Sequence, residues 1–225
     1  MKHRHRIRLA LFGLMMASLE YLFKDFVAQV IDMTDLYDEK VKGAKWIALR
    51  PEQLLTVRTA RSSIGGLLVH ATPGWHEPRT VNARYKEIFE YEPIDGGAVD
   101  DLERLWILRH SVAHNAGLVI AQDAARGGMP QLSNEVVDLG DDVVRDAFVF
   151  LCSIARTVAE RVGDKVVTDW LRTKRIAGKD YLRDKQTYTW LKWLATYVDS
   201  RARDLPTITK GLYSSDFERA NPTAV

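Results

Sequence analysis

Residues 105–117 read Leu-Trp-Ile-Leu-Arg-His-Ser-Val-Ala-His-Asn-Ala-Gly, a stretch that combines helical spacing with side chains capable of chemistry. Apolar residues recur here at intervals of three and four, as on one face of a helix: Leu102, Leu105, Trp106, Val112, Ala113, Ala116, Val119 and Ile120. Asp100 and Asp101, with Glu103 close behind, supply a capping signal, and Gly127-Gly128 supplies a stop. The pattern therefore predicts one helix running from the Asp100 region to Gly127.

Arg109 lies near the centre of this apolar stripe when residues are placed about 100° apart around the helix. A buried guanidinium without a partner is costly, so either an anion meets it or the stripe opens into a cleft. His110 and His114 are four residues apart and share the edge of the stripe. The helix is thus predicted to carry an anion clamp flanked by two imidazoles.

These side chains suit phosphoryl transfer on RNA. Arginine can hold a phosphate through two parallel hydrogen bonds and stabilise the charge of a pentavalent transition state. Histidine titrates near neutrality and can move protons. Because the ribose 2′-hydroxyl can serve as the nucleophile, the hypothesis requires no metal and no other cofactor.

The pattern Arg109-His110-x-x-x-His114 resembles the motif of the HEPN family, the higher eukaryote and prokaryote nucleotide-binding proteins. The following Asn115-Ala116-Gly117 is similar to the His-Asn-x-Gly of many members. The resemblance implies a metal-independent endoribonuclease of toxin–antitoxin, abortive-infection or CRISPR defence, acting as a homodimer whose two motifs form one composite site. It also implies RNA as substrate and an antitoxin or sensor protein as a further partner.

The resemblance implies a role for each residue of the motif. Arg109 would clamp the scissile phosphate and His114 would act as general base or acid, while His110 and Asn115 would orient the substrate or His114. Glu20, in Ser18-Leu19-Glu20-Tyr21-Leu22, would be the mid-helix glutamate of the first helix, pairing with Arg109 or tuning a histidine. The alternative for Glu20 is a surface pair with Lys24, four residues on.

One subgroup of the family departs from this chain. In those toxins a tyrosine follows the motif histidine by two residues and is modified by a nucleotidyltransferase antitoxin. Ala116 stands at that position here, so this mode of neutralisation is not expected.

The expected fold is all-α, a HEPN-like antiparallel helical bundle with additional C-terminal helices. The resemblance covers roughly residues 8–163, so residues 1–163 are assigned to a HEPN-like domain. Residues 164–205 are predicted to form a basic and aromatic helical extension packed on that domain, and residues 206–225, rich in small and polar residues, a poorly ordered tail.

The extension mixes cations with aromatic side chains, as a single-stranded RNA path requires. Lys174, Arg175, Lys179 and Arg183 are the predicted RNA-binding residues, and Trp170 and Tyr181 are interleaved with the basic residues of 165–185. The alternative is that the aromatic residues pack in a core or a dimer contact.

Composition indicates a globular cytoplasmic protein without a membrane segment. The chain is 46% hydrophobic and 28% charged, with a formal net charge of +2, so any attraction for RNA must be local. The basic start followed by apolar Leu9–Leu19 imitates a signal peptide, but the helical period continues to Met33, which predicts one long helix. The single cysteine, Cys152, suits a reducing compartment and is expected to be buried.

Two other classes of protein compete with the ribonuclease. One is a non-catalytic HEPN-type nucleotide- or RNA-binding module that regulates a partner protein. The other is a metal protein in which His110 and His114 share an ion and Glu20 or another carboxylate completes the site, although Arg109 would repel a cation. His76, Glu77 and the earlier His70 match no ligand pattern and are expected to face solvent. Gly65-Gly66, within a predicted helix that starts at Pro51, indicates close packing or a kink.

Overall fold

The computed structural model describes residues 2–47 and 63–176. Within these ranges it has seven α-helices: α1 (Lys2–Met33), α2 (Asp38–Gly43), α3 (Ile64–His70), α4 (Pro78–Phe89), α5 (Gly96–Asn115), α6 (Ala121–Arg126) and α7 (Asp141–Ile176). A 3-10 turn spans Pro130–Leu132, and β1 (Leu118–Val119) pairs antiparallel with β2 (Glu135–Val136). The predicted all-α class is therefore confirmed, with one short β-ribbon added.

Helix α1 is the element on which the others pack. Its period runs unbroken to Met33, as predicted, and it contacts α3, α7 and α5. Phe12, Phe23 and Phe26 are fully buried in the core that these helices share. The Tyr85 hydroxyl of α4 donates a hydrogen bond to the Phe23 carbonyl at 3.0 Å, so α4 is fixed to the same helix. Burial raises the pKa of this phenol.

The crossing of α1 and α3 depends on a glycine. A Cβ added at Gly65 would overlap the carbonyl oxygen of Ala28 in α1. The Gly65 amide also donates to Asp32 Oδ1 at 2.7 Å. The close packing predicted from Gly65-Gly66 is thus confirmed at Gly65, while the start predicted at Pro51 lies outside the described residues.

Helix α5, which carries the motif, ends earlier than the sequence predicts. Ala116 and Gly117 adopt left-handed conformations with φ of 53° and 93°, and both amides donate to the Ser111 carbonyl. These bonds satisfy a helix end, and a φ of 93° suits only glycine. The expectation of one helix to Gly127 was therefore wrong, because the chain turns at Gly117 into β1 and then forms the separate helix α6.

Helix α7 begins at Asp141, as the acidic pair there predicts, and continues through residue 163 to Ile176. Cys152 is exposed, so the expected burial of its thiol was wrong. The buried positions Leu151 and Ile154 lie on the core face, whereas Cys152 is one helical step away from it. Residues 177–205 of the predicted extension and the predicted tail at 206–225 lie outside the described residues.

None of the helices in the two described ranges has the length and the apolar character needed to cross a bilayer.

Candidate active site

The motif lines a cleft of about 440 Å³ between α5, the segment that leads into α4, and helix α6. Its cationic and titratable lining is contributed by all three elements: His76, Arg109, His110, His114 and Arg126. The acidic lining residues are Glu77, Glu103 and Asp123. The volume is within the usual range for a ligand site of a few hundred cubic ångströms.

Arg109 is half-buried in the wall of this cleft. No hydrogen bond or ion pair joins its guanidinium to another residue in the part of the chain that the structure describes. The sequence predicted either an anionic partner for Arg109 or a stripe that opens into a cleft, and the structure shows the cleft. The buried part of the stripe, at Leu102 and Trp106, gives way to exposed residues at His110 and Ala113 one turn later. The guanidinium is therefore available to an anion that enters the cleft.

His110 and His114 present their rings side by side, as expected from a spacing of four residues. Their ring centroids are 4.7 Å apart and the ring planes are tilted by 45°. Both side chains are exposed and both line the cleft. This pair of imidazoles can exchange protons with a bound group on the side of the cleft that α5 forms.

Two of the supporting residues lie elsewhere. Asn115 is half-buried at the last position of α5 and does not line the cleft. Glu20 accepts a hydrogen bond from Lys24 Nζ at 2.7 Å and is also absent from the cleft lining. For Glu20 the pairing with Lys24 is the observed alternative, because an i,i+4 lysine satisfies the carboxylate on the same helix. The pair is half-buried, however, and does not lie on the open surface as expected.

The loop before α4 places His76 and Glu77 at the cleft. Both side chains are exposed, as expected, but the sequence did not reveal that they line a cleft together with the motif. This loop is anchored by Trp75, which is fully buried. The Arg84 guanidinium packs against the rings of Trp46 and Trp75, at 5.0 and 4.7 Å from their centroids, and donates to the Pro73 carbonyl at 2.6 Å. Burial lowers the pKa of Arg84 from its ordinary value.

Ion pairs connect α4 to the motif helix. Arg79 donates to Asp100 at 2.7 Å and to Glu103 at 2.9 Å, both in α5. His76 lies three residues before this arginine, so the ion pairs and the buried Trp75 together fix its place relative to Arg109. Such contacts join residues more than 20 positions apart, and for this reason no local pattern of the sequence could reveal them.

Helix α6 adds Asp123 and Arg126, which the sequence analysis also missed. Asp123 Oδ2 is buried and has no hydrogen-bond partner among the described residues, and the same holds for Trp106 Nε1 in the cleft wall. No hydrogen bond or ion pair within the described ranges occupies the Arg126 guanidinium. A buried carboxylate oxygen without a protein donor is unfavourable, so a ligand group that donates a hydrogen bond to Asp123 would be well received in this wall.

The described residues contain no group of three or more His, Cys, Asp or Glu side chains that could hold a metal ion. Glu20, one of the carboxylates considered as a third ligand, pairs with Lys24 and does not line the cleft. Of the predicted RNA-binding residues, Lys174 and Arg175 belong to the end of α7, and Lys179 and Arg183 lie outside the described residues.

No protein-family model, no curated protein and no solved structure matches this chain.

Proposed function

We propose that this protein is a metal-independent endoribonuclease that cleaves RNA by attack of a ribose 2′-hydroxyl on the adjacent phosphodiester. The observation that carries the proposal is the Arg109 guanidinium, which lacks a protein partner in the described chain and lines a cleft beside two imidazoles. A half-buried cation of this kind is a ready site for a phosphate, since charge-assisted hydrogen bonds to a phosphate are strong and can be bidentate.

The proposed chemistry assigns these groups separate tasks. Arg109 holds the non-bridging oxygens and stabilises the charge that they gain as the phosphorus becomes pentavalent. His114 exchanges a proton with one of the two bridging oxygens, and His110, in contact with it, orients its ring. The products are a 2′,3′-cyclic phosphate and a free 5′-hydroxyl.

The biological setting and the assembly follow from the resemblance to HEPN proteins. On that basis the enzyme belongs to a prokaryotic defence or toxin–antitoxin system, works in the cytoplasm as a homodimer, and is held in check by an antitoxin or triggered by a sensor.

Cleavage of total cellular RNA and of tRNA in EDTA tests the proposal. Wild type should leave 2′,3′-cyclic phosphates, and Arg109→Ala and His114→Ala should each lower the rate by about 10²- to 10⁴-fold. Arg104→Ala is the matched control, because Arg104 lies on the same helix, pairs with Asp101 and does not line the cleft. Circular dichroism should show unchanged helix content in all three variants.

Two outcomes would contradict the proposal. Cleavage that survives both substitutions would place the activity elsewhere or in a contaminant. Tight RNA binding without cleavage, unaffected by His114→Ala, would instead support the non-catalytic binding module.

A further inference from the structure

The two imidazoles of the motif lie too close together to act on both sides of a phosphate. Their centroids are 4.7 Å apart, which is the separation of rings in contact, so no phosphoryl group fits between them. In-line cleavage needs one group to take the proton of the 2′-hydroxyl and another to protonate the departing 5′-oxygen, on the opposite side of the phosphorus. His110 and His114 therefore provide one side of the reaction only.

A third imidazole lines the same cleft from a different element. His76 stands in the loop before α4, its side chain is 50% exposed, and its Nε2 lies 4.0 Å from Glu77 Oε1. The loop is held by buried Trp75 and by the Arg84 bond to Pro73, and Arg79 attaches the following helix to α5. His76 thus lines the same cleft as Arg109 and comes from a different element.

The other titratable groups of the lining are less suited to this task. Glu103 accepts from Arg79, and Glu77 accepts from the Thr80 hydroxyl at 2.8 Å. One oxygen of Asp123 is buried. An imidazole titrates near neutrality and can donate or accept a proton there, whereas these carboxylates are engaged or turned inward.

We propose that His76 is the second proton-transfer residue of the ribonuclease, so that a single chain holds both members of the acid–base pair. This inference depends on the proposed function and departs from a site assembled from the motifs of two subunits. In the step, the bond between phosphorus and the 2′-oxygen forms while the bond to the 5′-oxygen breaks. One imidazole, of His114 or His76, receives the 2′ proton, and the other, entering as imidazolium, gives its proton to the 5′-oxygen.

The first test compares His76→Gln with His70→Gln, a matched control. His70 lies near Asp25 and its ring contacts that of Tyr21 at a tilted angle, outside the cleft. The rate of RNA cleavage should fall by about 10²- to 10⁴-fold in His76→Gln and stay near the wild-type value in His70→Gln. The pH–rate profile, bell-shaped in wild type, should lose one of its two limbs in His76→Gln, which a purely structural role would not produce.

Affinity separates chemistry from binding in this test. A 2′-O-methyl RNA oligonucleotide lacks the nucleophile, so it reports binding alone. His76→Gln should bind it within a few-fold of wild type and should keep the wild-type circular dichroism spectrum. A loss of binding that accounts for the whole loss of rate would overturn the catalytic assignment.

A mixing experiment tests whether one chain is sufficient. Arg109→Ala and His76→Ala proteins, unfolded and refolded together, should show no activity above the sum of the two alone, because neither chain has a complete site. Recovery of activity in the mixture would overturn the claim, since it would mean that His76 serves a site in another subunit.

The two proposals fail in different ways. If wild type cleaves RNA and His76→Gln cleaves it equally well, the role of His76 is wrong and the ribonuclease stands. If wild type neither cleaves RNA nor binds the 2′-O-methyl oligonucleotide, the ribonuclease and the role of His76 are both wrong.

Discussion

At the scale of single residues, Arg109 is the residue whose surroundings were predicted best from the sequence. Its position on an apolar stripe predicted either a buried anionic partner or a cleft at this point of the surface. The structure has a cleft there. The neighbouring histidines were also found from spacing alone, because residues four apart share a helix face. Spacing could not predict the part of the cleft lining that other elements contribute, because His76 and Asp123 are brought to the cleft by the tertiary fold.

Glu20 shows why a family resemblance can mislead about one residue. Its mid-helix position is consistent with a site residue, but Lys24 lies one turn away and forms an ion pair with its carboxylate at 2.7 Å. An ion pair between residues four apart forms within a single helix and needs no contact with distant parts of the chain. It is therefore the favoured pair unless the tertiary structure places a stronger partner nearby.

Asp123 should weaken RNA binding, and Asp123→Asn should therefore strengthen it. The carboxylate places a negative charge in a cleft that otherwise attracts phosphate, and one charge at close range in water is worth about 1 kcal/mol. The affinity for a 2′-O-methyl RNA oligonucleotide at low salt should rise about two- to fivefold, and the gain should shrink as salt is added.

The matched control for this change is Asp146→Asn, an exposed carboxylate of α7 that does not line the cleft. It should leave the affinity unchanged. Weaker binding by Asp123→Asn would contradict the prediction and would mean that the carboxylate accepts hydrogen bonds from RNA itself.

At the scale of elements, helix existence was predictable and helix ends were not. The long α1 follows from an apolar period without interruption, and α7 from its acidic start. The end of α5 was missed because Ala116, a good helix former, adopts a φ of 53° there. Two hydrogen bonds from the Ala116 and Gly117 amides to the Ser111 carbonyl, together with the pairing of β1 with β2, outweigh that preference. Neither can be predicted from a short stretch of sequence.

The α1–α3 crossing should be highly sensitive to one methyl group. Gly65→Ala would push a Cβ into the Ala28 backbone, which cannot move aside as a flexible side chain can. Overpacking of this kind costs about 1–3 kcal/mol, so the free energy of unfolding in urea should fall by at least that much.

Gly13→Ala is the control for the glycine change, because nothing lies within 4 Å of a Cβ at Gly13 in α1. Removing a glycine from a helix interior should raise the free energy of unfolding by about 0.5–1 kcal/mol. Equal effects of the two substitutions would show that the helices do not approach at Gly65 as described.

At the scale of the whole molecule, a formal net charge of +2 gives RNA little general attraction. The cleft concentrates cationic and titratable side chains from three separate elements, so the attraction is local. Composition could exclude a strongly basic RNA-binding protein but could not locate this cluster. Its members come together in the tertiary fold, in which α5 packs on α1 and Arg79 links α4 to α5.

The free energy of unfolding should depend on pH through the ion pair that joins the first and last described helices. Arg8 of α1 donates to Asp141 Oδ1 of α7 at 2.6 Å, and this hydrogen bond holds the pKa of the Asp141 carboxyl below its ordinary value. A carboxyl whose pKa is lower in the folded than in the unfolded chain stabilises the fold above about pH 4, where both forms are ionised. That stabilisation is lost as the pH falls through the lowered pKa.

Urea unfolding of wild type and Asp141→Asn, followed from about pH 6 to about pH 2, measures this contribution. Wild type should be the more stable protein at the upper end, and the difference should disappear at the lower end. Because both side chains reach solvent, added salt should reduce the difference as well. Arg8→Gln should remove most of the same pH-dependent difference, since Arg8 is the main cause of the lowered pKa of Asp141 and the charge of Arg4 adds only a smaller effect. A difference between wild type and Asp141→Asn that persists unchanged at low pH would show that Asp141 acts on the start of α7 and not through Arg8.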